Sequence, residues 1–334
     1  MTNKERLFNV FNNRLVDRVP VGFWFHFLPS EVMDDALEKP ELAQKNIDGH
    51  KAFIDAFHPD FVKIMSDGYF HYPIGKAALN NIQVCDKNHP WVKAQAELVK
   101  AVVSLQKDTA YFYNVFSPLG SLQRFLGNEV FYKFFAQEPE AVCKALNDIS
   151  LGLLVLAEQV IRTGGADGVY FSVSNPDREK LSDTHYVKYI APSEKLFLNE
   201  IEKISENNIL HICGYGGKRN NLELYRDYPA KSVNWAVNVE KVGLSDGKKL
   251  FGGRAVIGGF ANTPGSLIHK GSQEEISAFA RKLVEETGSA GLAIGADCTV
   301  PGDTPLEHFE WVRRAAQVKC FSNTDIINYA NDNF

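Results

Sequence analysis

PEAVCKALNDISLGLLVLAEQVIRTGGADGVYFSV, residues 139–173, contains a helix followed by a buried strand. Between residues 139 and 163, apolar side chains recur at spacings of three and four, which is typical of a helix with one buried face. These side chains are Val142, Leu146, Ile149, Leu153 and Leu156. After a glycine-containing turn, residues 168–173 are almost continuously apolar, as expected for a strand covered on both faces. The stretch therefore predicts one unit of an α/β fold.

The same alternation recurs along the whole chain. Eight short apolar segments predict strands at residues 19–25, 61–66, 111–116, 168–173, 208–213, 232–237, 254–260 and 292–297. Helical periodicity between them predicts further helices, the clearest at residues 40–57, 91–105, 186–204 and 274–286. An additional N-terminal helix, residues 3–13, could close the barrel floor. We therefore predict a single (β/α)8 TIM barrel domain over residues 1–334 rather than a doubly wound sheet.

Composition limits the class of protein. The 334 residues are 45% hydrophobic and 23% charged, as in ordinary globular proteins, and the net charge of -5 gives no sign of a nucleic-acid surface. Five cysteines form an odd set without framework spacing, which favours a reducing compartment. No apolar run approaches the roughly 18 residues of a membrane span. We expect a soluble cytoplasmic protein without a membrane or nucleic-acid partner.

Three side chains form a candidate metal site. His211 and Cys213 lie two residues apart at the end of a predicted strand, so they project to the same side, and Cys298 follows the last strand. In barrels of this kind the chemistry lies at the carboxyl ends of the strands, where these residues can converge. One imidazole and two thiols are ligands that zinc favours, and a fourth position stays open for substrate. The alternative is a half-buried histidine with two small core cysteines.

Further candidates lie near the strand ends. Asp67 ends the second predicted strand, and His26 and Tyr69 lie near the ends of the first two. We predict that these three bind substrate or line the pocket, although Asp67 could instead cap the next turn. The His211 ring N–H needs an acceptor, for which Asp297 and Asp167 are the candidates.

A glycine-rich loop follows the predicted ligand pair directly. Gly214 could allow the backbone to come close to a substrate or cofactor, and Lys218 or Arg219 could hold a sulfonate or carboxylate tail. The alternative is a flexible loop that begins a helix.

Six short motifs together resemble a known family over essentially the whole chain. They are DRVPV (17–21), KIMSD (63–67), FSPLG (116–120), GADG (165–168), IGGFAN (257–262) and PGDTPLE (301–307). In this order they make the chain similar to the uroporphyrinogen decarboxylase superfamily. Its decarboxylases have an arginine-rich loop after the first strand, because their tetrapyrrole substrate has many carboxylates. Here that loop is FWFHFLP (23–29), and no arginine occurs between Arg18 and Arg124.

The other branch of the superfamily fits the candidate ligands. The chain resembles its zinc methyltransferases, which move a methyl group from a corrinoid protein to a thiol such as coenzyme M and have a matching His-x-Cys pair and a later Cys. The resemblance implies Zn²⁺ at His211, Cys213 and Cys298, and a methylcorrinoid (cobalamin) carried on a separate partner protein. The aromatic run 23–27 could contact that carrier.

Several alternatives stay open at this point. The thiol could be coenzyme M or homocysteine, because cobalamin-independent methionine synthases use a related barrel and ligand set; a folate acceptor would change the mechanism. A porphyrinogen decarboxylase is the other enzyme hypothesis, which the absent arginines disfavour. A third is a non-catalytic barrel that binds a corrinoid or tetrapyrrole without turnover.

Overall fold

A computed structural model of the chain describes residues 1–28, 34–74, 79 and 82–317. Its centre is a sheet of seven parallel strands whose order in the sheet is their order along the chain. The strands are β1 (Phe61–Ile64), β2 (Ala110–Phe116), β3 (Gly168–Val173), β4 (Ile209–Ile212), β5 (Ser232–Trp235), β6 (Ala255–Phe260) and β7 (Leu292–Ala296). The sheet is curled into a half-barrel and resembles a TIM barrel.

Thirteen α-helices surround the sheet in the described ranges, and all but the first follow β1 along the chain or, like α2, immediately precede it. They are α1 (Asn3–Phe11), α2 (Glu41–Phe57), α3 (Pro90–Val103), α4 (Pro118–Leu126), α5 (Asn128–Gln137), α6 (Pro139–Arg162), α7 (Asp183–His185), α8 (Ala191–Glu202), α9 (Val237–Glu240), α10 (Leu244–Leu250), α11 (Leu267–Lys270), α12 (Gln273–Thr287) and α13 (Leu306–Ala315). The helix that the apolar spacing predicts at residues 139–163 is α6, and its five apolar side chains are all buried. Within the described ranges, none of the helices combines the length and apolarity that crossing a bilayer requires.

The first predicted strand, residues 19–25, is not a regular strand. Val21 forms a single parallel bridge to Ile294 of β7. The Gly22 N–H donates to the Ile294 carbonyl (3.0 Å), and on the other side the Asp60 N–H donates to the Val21 carbonyl (3.1 Å). The segment therefore lies between β7 and the start of β1. Pro20 has no N–H to give to a ladder, and this limits the pairing. The prediction of eight regular strands is corrected to seven.

The aromatic run at residues 23–27 is mostly part of the core. Phe23 is fully buried and stacks on Phe309 with ring centroids 4.3 Å apart. Trp24 is also buried and lies inside the curve of the sheet, edge-on to Tyr170 at 5.4 Å. Phe25 packs edge-on against another core ring. Phe23, Trp24 and Phe25 are not available to a docking partner, which corrects this part of the expected contact with a carrier protein.

Side chains alternate between the two faces of the sheet. On β1, Phe61 belongs to a cluster inside the curve, as does Met65 just beyond the strand, whereas Val62 and Ile64 join the larger core between sheet and helices. Residues two apart therefore share a face, as the geometry of a strand requires. By the same alternation Lys63 points inward.

Helix α1 packs on the inner cluster. Its first turn has a capping box in which Thr2 and Glu5 bind each other's main-chain N–H groups. Leu7, Val10 and Phe11 join the inner cluster, where Phe11 lies 5.8 Å from the ring of Phe112 on β2. Apolar residues of α1 thus cover part of the inner face.

Helix α2 supports the end of β1. The Asn46 side-chain amide donates to the carbonyls of Met65 (2.9 Å) and Asp67 (3.1 Å). His50 is fully buried; its Nδ1 donates to the Asn46 carbonyl (2.9 Å), and its Nε2 accepts from the Met65 N–H (3.1 Å). Burial lowers the pKa of His50 to about 4. The neutral ring therefore holds the segment that leads to Asp67.

Because the pKa of His50 is about 4 in the folded chain and about 6.5 in an unfolded one, only the unfolded chain is protonated between these values. The contribution of His50 to the free energy of unfolding should therefore fall as pH decreases from about 6.5 to about 4, by up to roughly 3 kcal/mol. Urea unfolding at several pH values should show this contribution as the difference in slope between the wild type and His50→Gln. The exposed His185→Gln should keep the wild-type slope, and equal slopes in all three proteins would contradict the assignment.

Candidate metal centre

The carboxyl ends of β4 and β7 bring three potential metal ligands together. His211 lies on β4, Cys213 comes directly after it, and Cys298 follows β7 by two residues. One donor atom from each side chain, an imidazole nitrogen or a sulfur, lies within 4.8 Å of the others. His211 is buried, whereas the two cysteines keep partial contact with solvent. The three residues singled out in the sequence therefore converge.

A hydrogen bond to Asn234 orients the His211 ring. The Nδ1 atom lies 2.5 Å from the Asn234 side-chain oxygen. The Asn234 amide nitrogen donates to the main-chain carbonyls of Ile257 (2.8 Å) and Ala296 (3.2 Å), so its oxygen must face His211. Nδ1 therefore carries the proton and Nε2 the lone pair. Nε2 is buried and accepts no hydrogen bond among the described residues.

The two acidic residues proposed as the acceptor for His211 have other partners. Asp297 accepts from the main-chain N–H (2.9 Å) and side-chain amide (3.0 Å) of Asn238, and burial raises its pKa to about 6. Asp167 precedes β3 at the opposite end of the sheet, where it accepts from the Tyr111 N–H and pairs with Lys4. Asn234 takes the place expected for an aspartate because the β4–β5 register sets it directly opposite His211.

The main chain fixes the position of Cys213. Its N–H donates to the Val173 carbonyl (2.8 Å) at the end of β3, and its carbonyl accepts from the Asn220 side chain (3.0 Å). The same Asn220 side chain and its main-chain N–H donate to the buried Glu240 carboxylate. The turn after β4 is thereby held at a defined distance from β3 and α9.

The environment of the Cys298 sulfur favours its ionised form. The pKa of the Cys298 thiol is held well below its usual value, chiefly by the hydrogen bond from Cys213. Burial opposes this effect, and the neighbouring His211 ring and Lys63 ammonium reinforce it. Thiolate sulfur, not the thiol, is the form that binds a metal.

This donor set fits a zinc ion. Two sulfurs and one neutral imidazole nitrogen are ligands that zinc prefers, and a three-ligand site leaves one position open for substrate. The buried Nε2 of His211, which has a lone pair and accepts no hydrogen bond from a described residue, is the kind of atom that a metal would satisfy. A hydrogen-bonded second nitrogen is the usual arrangement for a metal-binding histidine.

A polar layer that the sequence analysis missed lies inside the barrel below the sulfurs. The Lys63 ammonium lies 4.3 Å from the centre of the Tyr170 ring and 5.6 Å from that of Trp24. The Tyr170 hydroxyl donates to the Asn234 oxygen (2.6 Å), and its ring lies 5.0 Å from that of His211. The available signal was a polar residue inside an apolar run, as in FVKIM and SVNW.

Asp67 and His26 form a pair at the end of β1. The His26 Nδ1 lies 2.9 Å from one Asp67 oxygen, and the Phe27 N–H donates to the other (2.7 Å). Asp67 is fully buried, whereas the His26 side chain is 31% exposed and packs edge-on to Phe70. Tyr69 is buried in the larger apolar core, and burial raises its pKa.

The loop after Cys213 carries two cations with protein partners. Lys218 is 62% exposed and pairs with Asp177. Arg219 donates to the Glu240 carbonyl (2.6 Å). A Cβ at Gly214 would lie 2.5 Å from a neighbouring side-chain carbon, so the glycine allows the close approach of this turn to α9.

Comparison with solved structures shows the breadth of this fold. A methyltransferase from Methanosarcina mazei shares 16% identity, with a TM-score of 0.74, over 95% of this chain and 98% of its own. A putative vitamin-B12-independent methionine synthase from Listeria monocytogenes shares 14% identity, with a TM-score of 0.53, over 91% of this chain and 98% of its own. A glycoside hydrolase family 5 enzyme from Prevotella bryantii shares 12% identity, with a TM-score of 0.53, over 92% of this chain and 97% of its own. At these identities the likeness shows a common fold only.

Sequence comparison is more specific. No curated protein matches the chain. A family model, that of uroporphyrinogen decarboxylase (URO-D), matches residues 60–318, which include all seven strands and the three potential metal ligands. Because this match covers well over half of the chain, the protein belongs to the uroporphyrinogen decarboxylase family.

Proposed function

We propose that this chain is a zinc-dependent methyltransferase that moves a methyl group between a corrinoid protein and a thiol. The observation that carries the proposal is the convergence of His211, Cys213 and Cys298, with the His211 ring oriented by Asn234. The likeness to a methyltransferase and to a putative methionine synthase supports it, since both proteins are named for methyl transfer or its product.

The residues of this chain have distinct tasks in the proposed reaction. His211, Cys213 and Cys298 would hold zinc, which supplies the acidity that keeps a substrate thiol in its nucleophilic thiolate form. Asn234 keeps the lone pair of His211 on Nε2. The hydrogen bonds to Val173 and Asn220 keep the sulfur of Cys213 beside that of Cys298.

The remaining contacts of the substrate and partner are also proposals. His26, Asp67 and Tyr69 lie at or after the end of β1, and the exposed Lys218 is the better placed of the two loop cations to meet an acidic tail. Arg219 and Gly214 would shape the same loop. The methylcorrinoid would be carried by a separate protein that docks over the carboxyl ends of the strands, and both proteins would be cytoplasmic.

Decarboxylation of a porphyrinogen is the second candidate, which the family name favours. A tetrapyrrole with many carboxylates needs several cations at the mouth of the barrel. The FWFHFLP segment supplies none. We therefore place methyl transfer first.

Metal content tests the proposal most directly. Purified wild type should contain about one zinc per chain, because its three ligands complete a single site. Cys298→Ser should lose the metal or bind it much more weakly, whereas Cys143→Ser, a half-buried cysteine on α6, should keep it. Elemental analysis gives both numbers. A wild type that neither contains zinc nor takes up added zinc would rule out this mechanism and favour a non-catalytic binding barrel.

The role of Asn234 can be measured separately. Asn234→Ala removes the acceptor for His211 Nδ1, so the ring can rotate and change tautomer, and zinc affinity should fall about 10- to 100-fold. Competition with a chromophoric chelator gives this affinity. Asn114→Ala is the matched control, because Asn114 is a buried asparagine on β2 that binds Ser66 instead. Equal zinc affinity in the two variants would show that Asn234 does not orient the ligand.

Substrate turnover distinguishes the two enzyme hypotheses. Zinc-loaded wild type should demethylate free methylcobalamin when a thiol is added, and the absorbance change should be absent in Cys298→Ser. Coenzyme M, homocysteine and 2-mercaptoethanol would be compared as acceptors. Release of CO2 from uroporphyrinogen, with no thiol-dependent loss of methylcobalamin, would reverse the order of the two candidates.

A further inference from the structure

Lys63 is a buried cation for which the proposed chemistry gives no role. It lies on β1 between Phe61 and Met65, which both belong to the apolar cluster inside the curve of the sheet. The side chain alternation therefore directs it inward, and it is only 6% exposed. A lysine at such a position is uncommon, because removing an ammonium from water costs several kcal/mol unless it is paired.

No carboxylate pairs with Lys63. Among residues 1–28, 34–74, 79 and 82–317 it makes neither a hydrogen bond nor an ion pair, and its contacts are the ring faces of Tyr170 and Trp24. Asp67 is close enough to act on it electrostatically, but its two oxygens are bound by His26 and the Phe27 N–H. The cation–π contacts hold the ammonium in place without neutralising it.

Burial lowers the pKa of Lys63. The negative groups that oppose this effect are, in decreasing order, Cys298, Cys213 and Asp67. The attraction is mutual, because Lys63 is also among the charges that favour the thiolate form of Cys298. The Tyr170 ring, 4.3 Å from the Lys63 ammonium, has its centre 5.0 Å from that of the His211 ring, so one aromatic ring contacts both the ammonium and the candidate metal centre.

The net charge of the candidate metal centre indicates a role for the Lys63 ammonium. Cys213 and Cys298 as cysteinates, with the neutral imidazole of His211, would balance the charge of a Zn²⁺ ion, so the three-ligand site would have no net charge. A substrate thiol that entered the site would lose its S–H proton to solvent. The resulting thiolate would leave one uncompensated negative charge in a half-buried site, where charge is costly.

We infer that Lys63 supplies the counter-charge for the substrate thiolate and makes the site select an anionic sulfur over a neutral ligand. The inference rests on the proposed function. It also explains release of the product, because a methylated thioether is neutral and gains nothing from the ammonium. Lys63 has no covalent part in the reaction.

The test compares an anionic with a neutral ligand on the cobalt-substituted protein. Wild type, Lys63→Met and Lys63→Arg are loaded with Co²⁺, and 2-mercaptoethanol or imidazole is titrated at one pH while the visible bands are recorded. In Lys63→Met the dissociation constant of 2-mercaptoethanol should rise about tenfold or more, and that of imidazole should change less than about threefold. Lys63→Arg keeps the charge and should restore much of the thiol affinity.

Matched variants separate charge from packing. Lys195→Met removes an ammonium that lies over the Tyr228 ring (5.4 Å) on α8, outside the barrel, and should leave both affinities unchanged. If Lys63→Met does not fold, Lys63→Gln replaces it in the same titration.

Two results would overturn the inference. Normal Co²⁺ uptake with equal changes in thiol and imidazole affinity in Lys63→Met would show that the charge is not used, and the proposed function would stand. A wild type that takes up no metal would remove the proposed function and this inference together.

Discussion

The inside of the sheet depends on one buried amide, that of Asn234. Its oxygen accepts from the Tyr170 hydroxyl on β3 and from His211 on β4, while its nitrogen donates to the carbonyls of Ile257 on β6 and Ala296 on β7. From β5 it therefore connects four other strands, and all its hydrogen-bonding capacity is used. If the amide were flipped, its oxygen would face the carbonyls of Ile257 and Ala296. The curved sheet therefore fixes the orientation of the amide, and the amide fixes the tautomer of His211.

Charge in the mouth of the barrel is distributed unevenly. The two buried carboxylates, Asp67 and Asp297, are each bound by a main-chain N–H and by a further side chain. Lys63 has no comparable partner among the described residues. Carboxylates bound in this way are held in place, whereas an unpaired ammonium attracts an anion from outside. The electrostatics of the cavity thus favour a negatively charged ligand beside the sulfurs.

Much of this arrangement follows from the sequence, and the exceptions have physical causes. Apolar runs and helical spacing predict β4 at residues 208–213 and α6 at residues 139–163, within a few residues of their observed bounds. The two-residue period places His211 and Cys213 on one face. The segment at residues 19–25 is apolar enough to predict a strand, but it contains Pro20, which has no N–H to donate to a neighbouring strand, and it forms only an isolated bridge. The contact between Asn234 and His211 was not predicted, because the register between two strands cannot be read from the local sequence of either strand.

Fold alone does not assign a reaction here, since a similar barrel serves a glycoside hydrolase. The potential metal ligands of this chain are attached to the sheet at two places. Cys213 is fixed through β3 by the Val173 carbonyl, and the Cys298 turn is fixed through β6 by the bond from the Asp297 N–H to Phe260 (2.8 Å). The two sulfurs therefore belong to separate parts of the curved sheet, and their separation is set by its curvature. A metal held between them would tie these parts together, so binding of the ion and stability of the barrel mouth would be coupled.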